Sequence, residues 1–119
     1  MAEHKLSVVL KHPVQALRPN GRAHWAVKAR AVRRARLKAL VLTLAERDKG
    51  ELFRPVRYAL MWFYKGACPD ADNCLASCKA YLDGCADALG VDDRTLECSG
   101  ITRVHDKGRA GTVEIVFYG

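Results

Sequence analysis

CPDADNCLASCKAYLDGCADALGVDD, residues 68–93, carries six aspartates, at 70, 72, 83, 87, 92 and 93, and a single basic side chain, Lys79. Like charges crowded this closely are costly unless a counter-ion answers them. In extended backbone, side chains alternate between faces, which points Asp70 and Asp72 the same way about 6.5 Å apart, within the reach of one hard divalent cation. Asn73 is a capping residue type, and Leu75, Cys78, Leu82, Cys85 and Leu89 then recur at helical spacing before Gly90, a C-terminal stop. The pattern predicts one amphipathic helix over 73–89. On such a helix Lys79 and Asp83 are neighbours, and Asp72 lies at nearly the same angle two turns earlier. The chain returns at Asp92 and Asp93, so a strand end, a helix and the turn after it are expected to converge three carboxylates and one ammonium. Lys79 and Asp83 also allow a plainer reading, a surface ion pair contributing about 0.3–0.5 kcal/mol.

Asp70, Asp72, Asn73, Lys79, Asp83 and the pair Asp92 and Asp93, closed by DALGVDD, resemble the signature of the RusA family of Holliday junction resolvases. The chain departs from the type member in the interval between DxDN and the lysine, which is longer here by about one helical turn. The resemblance is strong over residues 69–93 and weak around Asn20 and Trp25, which are similar to an Asn and a Trp of the family's DNA-facing loop. It implies an endodeoxyribonuclease that resolves four-way junctions by paired nicks in recombination and repair, and a homodimer, whose two-fold axis suits a two-fold substrate. It implies Mg²⁺, with Mn²⁺ as substitute, on Asp70, Asp72 and Asp93, with Asp92 as the alternative ligand. Lys79 would stabilise charge on the phosphate or position water, while Asp83 and Asn73 would orient its surroundings. A bacterial or prophage-encoded enzyme of the cytoplasm would fit. The alternative is a catalytically silent junction-binding protein whose aspartates serve the fold.

The net charge of +7 matters through its placement: Lys11 to Lys38 holds nine Lys or Arg and no acid, the reverse of residues 70–93. A basic wall beside an acidic pocket suits a polyanion. Asn20, Arg22, Trp25, Lys28, Arg30, Arg33, Arg34 and Lys38 are the candidate DNA contacts, with Arg30, Arg34 and Lys38 at four-residue spacing as the best phosphate row. Trp25 could equally pack a helix. Five cysteines without a CxxC pair, and four scattered histidines, suggest reduced thiols acting as small apolar residues rather than a zinc site. No apolar run reaches a membrane span's length, and MAEHKLSVVLKH lacks a signal core, so neither membrane insertion nor export is expected.

The 119 residues are expected to form one α+β domain, 1–119, a mixed sheet packed against helices in the order β-α-β-α-β-β, as in RusA-like proteins. KLSVVL, residues 5–10, suits a strand ended by Pro13, and a loop through Asn20 and Gly21 follows. From His24 to Asp48 no Gly or Pro interrupts a long helix. Its basic first half is expected to face nucleic acid, and its apolar second half to be buried, partly in a subunit interface. VRYALMWFY, residues 56–64, predicts a central strand covered on both faces. Two further strands, around 95–104 and 112–118, are expected to form a hairpin through DKGRAG.

Overall fold

Leu6, Val8 and Leu10 alternate with Lys5, Ser7 and Val9, and strand β1 spans Lys5–Lys11 with the first set buried. It opens a computed structural model that describes residues 3–19, 22 and 24–119. A short 3-10 turn, Gln15–Leu17, leads to helix α1, Trp25–Arg47. The exposed ring of His24 caps α1, its Nδ1 accepting from the Ala26 amide at 3.2 Å. Strand β2, Arg57–Tyr64, is followed by helices α2, Ala71–Ser77, and α3, Lys79–Leu89, then by strands β3, Glu97–His105, and β4, Thr112–Tyr118.

The sheet runs β1-β4-β2-β3, with β4 antiparallel to both neighbours and β2 parallel to β3. The expected mixed sheet packed against helices is therefore present. The expected hairpin between the last two strands is not, because β2 lies between them. The connection from β3 instead crosses the end of β2, where the Asp106 amide donates to Tyr64 O and the Gly111 amide to Phe63 O.

The predicted single helix over 73–89 is two helices. Ser77 turns its hydroxyl back onto Asn73 O at 2.7 Å, and the Cys78 amide donates to Leu75 O, three residues back, which tightens the final turn and ends α2. The cap is Asp70 rather than Asn73. Gly90, at φ 69°, does close α3 as expected.

Leu60, Trp62, Val113, Ile115 and Phe117 are buried against α1 and α3 on one face of the sheet, in a core with Cys74, Cys78 and Cys85. Burying an aliphatic side chain such as Ile115 contributes roughly 2 kcal/mol. Burial pushes the Cys74 and Cys78 thiols up to about 12 and Cys85 to about 11, so they pack as neutral small residues. Helices do not cover both faces of β2. On the opposite face Phe63 is buried under the Arg109 guanidinium, 3.8 Å from its ring centre, while Val9 of β1 stays half exposed. Long basic side chains substitute there for a second layer.

Helices α1 and α3 meet through small residues. Ala35, Ala39 and Thr43 form the buried stripe of α1, and opposite them a Cβ on Gly84 would lie 2.1 Å from the Arg36 carbonyl oxygen. Thr43 donates to Cys85 Sγ at 3.2 Å across the same contact. No helix among the described residues is long and apolar enough to cross a membrane.

Candidate functional site

Asp70 ends the segment after β2 in extended conformation, and its Oδ1 accepts from the Asn73 amide at 2.9 Å. Asp72 already belongs to the first turn of α2 and is exposed. The two carboxylates therefore do not share one face of an extended strand as the sequence suggested. The stronger local tendency of Asp to cap a helix decides the backbone here.

Lys79 opens α3. Its ammonium forms an ion pair with Asp83 Oδ1 at 3.2 Å and a close hydrogen bond with Asp93, which begins the 3-10 turn Asp93–Thr95. The i,i+4 pair expected from spacing is thus formed, and Asp93 is brought to the same ammonium from another part of the chain. The cluster borders a cleft of about 390 Å³ lined by Tyr58, Leu75, Ala76, Leu82 and Leu96. The Lys79 side chain is 64% exposed, so an anion can reach it from solvent.

The Lys79 hydrogen bond holds the Asp93 carboxyl below the usual carboxylate range, against the opposing effect of burial. The same bond to Asp93 raises Lys79 above its ordinary value. A depressed carboxyl contributes stability above its unfolded pKa and loses it as pH falls through the folded one. A raised ammonium contributes below its unfolded pKa and loses it as pH rises through the folded one. The contact should therefore contribute fully from about pH 4 to about pH 10 and be lost progressively beyond each end, as pH passes the folded values of Asp93 and Lys79. NMR titration of side-chain carboxyl carbons should show Asp93 titrating below the normal range, and Lys79→Met should return it there.

Asp92 is occupied differently. Arg94 donates to both its oxygens, at 2.8 Å for Nη2, and lowers its carboxyl to about 2. Asp87 forms a two-pronged bond with Arg36 of α1 at 2.6 and 2.9 Å. Among the described residues no three His, Cys, Asp or Glu side chains are gathered to hold a metal ion. Asp70 is committed to the α2 cap and Asp93 to Lys79. The ligand set Asp70, Asp72 and Asp93 does not fit a single ion in this arrangement.

Around α1, Lys28, Arg30, Arg33, Arg34 and Lys38 are all exposed, as is Arg22 before the helix, and Arg30, Arg34 and Lys38 share the flank away from Asp87. Trp25 is 76% exposed with its ring tilted against His24, so it does not pack into the core. Asn20 lies outside the described residues. The apolar half of α1 is buried only along its inner stripe, and Leu37 and Val41 face solvent.

Three residues near the site escaped sequence reasoning. Tyr58 lines the Lys79 cleft, with its phenol pushed up to about 12 chiefly by burial. Arg36 ties α1 to α3, and Arg103 of β3 donates to Pro69 O beside Asp70. An Arg in an otherwise apolar pattern signals such a tether only once its strand neighbour is known.

No protein-family model matches the chain. An uncharacterized protein of Xylella fastidiosa is 40% identical over 119 residues, covering 95% of this chain and 76% of the relative. A crystal structure of 2C-methyl-D-erythritol 2,4-cyclodiphosphate synthase from Plasmodium vivax matches 98% of this chain and 95% of its own at 10% identity and a TM-score of 0.34, a loose likeness only.

Proposed function

The chain belongs to one family with the Xylella fastidiosa protein, and for that family we propose an endodeoxyribonuclease acting on branched DNA, similar to the RusA resolvases. The observation that carries this reading is the exposed Lys79 ammonium held between Asp83 and Asp93. Those carboxylates come from the helix and from the turn after it, two of the places the resemblance calls for. An ammonium so held, at the edge of a cleft, can take charge developing on a phosphate oxygen without reorganising. The exposed cations of α1 supply the attraction for the phosphate backbone, and a two-fold dimer would present two such sites to a two-fold junction.

Mg²⁺ belongs to the proposal as the cofactor the resemblance requires. Its three proposed ligands are not gathered here, and the groups that act on the phosphate in this reading are Lys79 and its partners alone. The setting we propose is the cytoplasm of a bacterium.

A labelled four-way junction incubated with Mg²⁺ or EDTA tests the reading. Paired symmetrical nicks with Mg²⁺, and binding without cutting in EDTA, are expected; cutting that persists in EDTA removes the metal requirement. The ungathered carboxylates favour a second reading, a junction-binding protein without nuclease activity, and binding without nicks under both conditions would select it. In either case, four exposed cations on phosphates (Arg30, Arg33, Arg34 and Lys38) predict a slope of about −3 to −4 for log K against log salt. A flat response measured by anisotropy would rule out that surface.

A further inference from the structure

Flanking α1 on the side away from Asp87 is a groove of about 680 Å³, between the helix and the segment from Lys11 to Leu17. That volume is in the range of clefts that enclose small ligands. Its lining among the described residues holds Lys11, Arg30, Arg34 and Lys38 and no acidic residue, while Val14, Leu17 and Val27 present apolar surface. Val14 and Val27 are 58% and 44% exposed, which leaves large apolar side chains open to solvent in the middle of a basic surface. Tyr81 reaches the same groove, its position fixed by its hydroxyl donating to Lys11 O at 2.9 Å.

We propose that this groove binds a short unpaired stretch of a DNA strand, with phosphates on Arg30, Arg34 and Lys38 and bases laid on the apolar floor. Residues four apart on a helix rise about 6 Å, so the row from Arg30 to Lys38 spans about 12 Å, enough for three consecutive phosphates. A cationic lip over an apolar floor is complementary to a strand that is anionic on one side and planar and apolar on the other. A base-paired duplex has the charge but keeps its bases stacked inside, so only an unpaired strand can use both parts of the groove. The inference rests on the nucleic-acid part of the proposed function and adds its substrate class: branched DNA with nucleotides opened near the branch.

The test is fluorescence anisotropy in EDTA, where cutting plays no part, with a short labelled oligothymidylate and a labelled hairpin duplex as probes. Val14→Ser combined with Val27→Ser is neutral, touches only exposed side chains, and should weaken oligothymidylate binding about tenfold while changing duplex binding less than about twofold. Arg30→Gln, Arg34→Gln and Lys38→Gln together should lower the oligothymidylate salt slope by about 2. Equal losses on both probes for the valine variant, or an unchanged slope for the charge variant, would overturn the proposal. Junction binding without oligothymidylate binding also overturns it and leaves the proposed function standing. Oligothymidylate binding by a protein that never nicks a junction upholds it while removing the nuclease reading.

Discussion

Gly84→Ala is expected to destabilise the protein by about 3 kcal/mol or more, although alanine is the better helix former by about 1 kcal/mol. The added Cβ would sit 2.1 Å from the Arg36 carbonyl oxygen and 2.9 Å from Ala39 Cβ. Both obstacles are on α1, and the nearer is backbone, so no side-chain rotation relieves the overlap. The helices must move apart, which would loosen Thr43 on Cys85 and the Arg36–Asp87 bond together. Urea denaturation followed by circular dichroism reads the effect as a lowered midpoint. Gly66→Ala is the control: nothing lies within 4 Å of its Cβ, and a change within about 0.5 kcal/mol is expected. A Gly84→Ala protein as stable as the parent would mean that α1 and α3 do not meet as closely as described.

The second large effect concerns rate. Lys79→Met should reduce junction cutting by about a hundredfold or more while leaving junction affinity in EDTA within about threefold. Its cost to stability should stay near 1 kcal/mol or below, because the ammonium it removes is mostly exposed to solvent. That combination separates a group acting on the phosphate from one that merely ties α3 to the turn at Asp93. Asp72→Asn tests the metal site that the resemblance calls for: Asp72 is exposed, so the fold should be unaffected, and loss of cutting with binding retained would make Asp72 a ligand, whereas parental cutting would leave Lys79 and its partners as the site. Asp83→Asn, which removes only one of the ammonium's two partners, should fall between the parent and Lys79→Met. Lys79→Met cutting at the parental rate would end the site assignment.

The elements were legible where one local signal dominated. The uninterrupted run from His24 to Asp48 became α1 almost to the residue, and the alternation of Val113, Ile115 and Phe117 became the buried face of β4. Strand order was not legible, since nothing local to DKGRAG distinguishes a tight hairpin from a connection that steps over the end of β2. The break at Cys78 was hidden because Cys78 keeps the apolar period; the clue was Ser77, whose hydroxyl competes for the helix backbone. At the site, the Lys79–Asp83 pair followed from spacing alone. Its meeting with Asp93 follows from β2 and β3 running parallel across α2 and α3, a relation between distant segments. Asp70 misled because one side chain had two uses, and the helix cap took precedence over a shared carboxylate site. Arg36 falls within the basic run from Lys11 to Lys38, and nothing in that run shows that its guanidinium is engaged by Asp87, fifty-one residues away.

The pairing of β1 with β4 has a consequence for synthesis. Of the four strands β1 is made first, and it has no hydrogen-bonding neighbour among the described residues until β4, made after the other three, emerges. During that interval Leu6, Val8 and Leu10 must be shielded by α1 or a chaperone, and the nascent chain is at its most aggregation-prone before translation of Thr112–Tyr118 is finished.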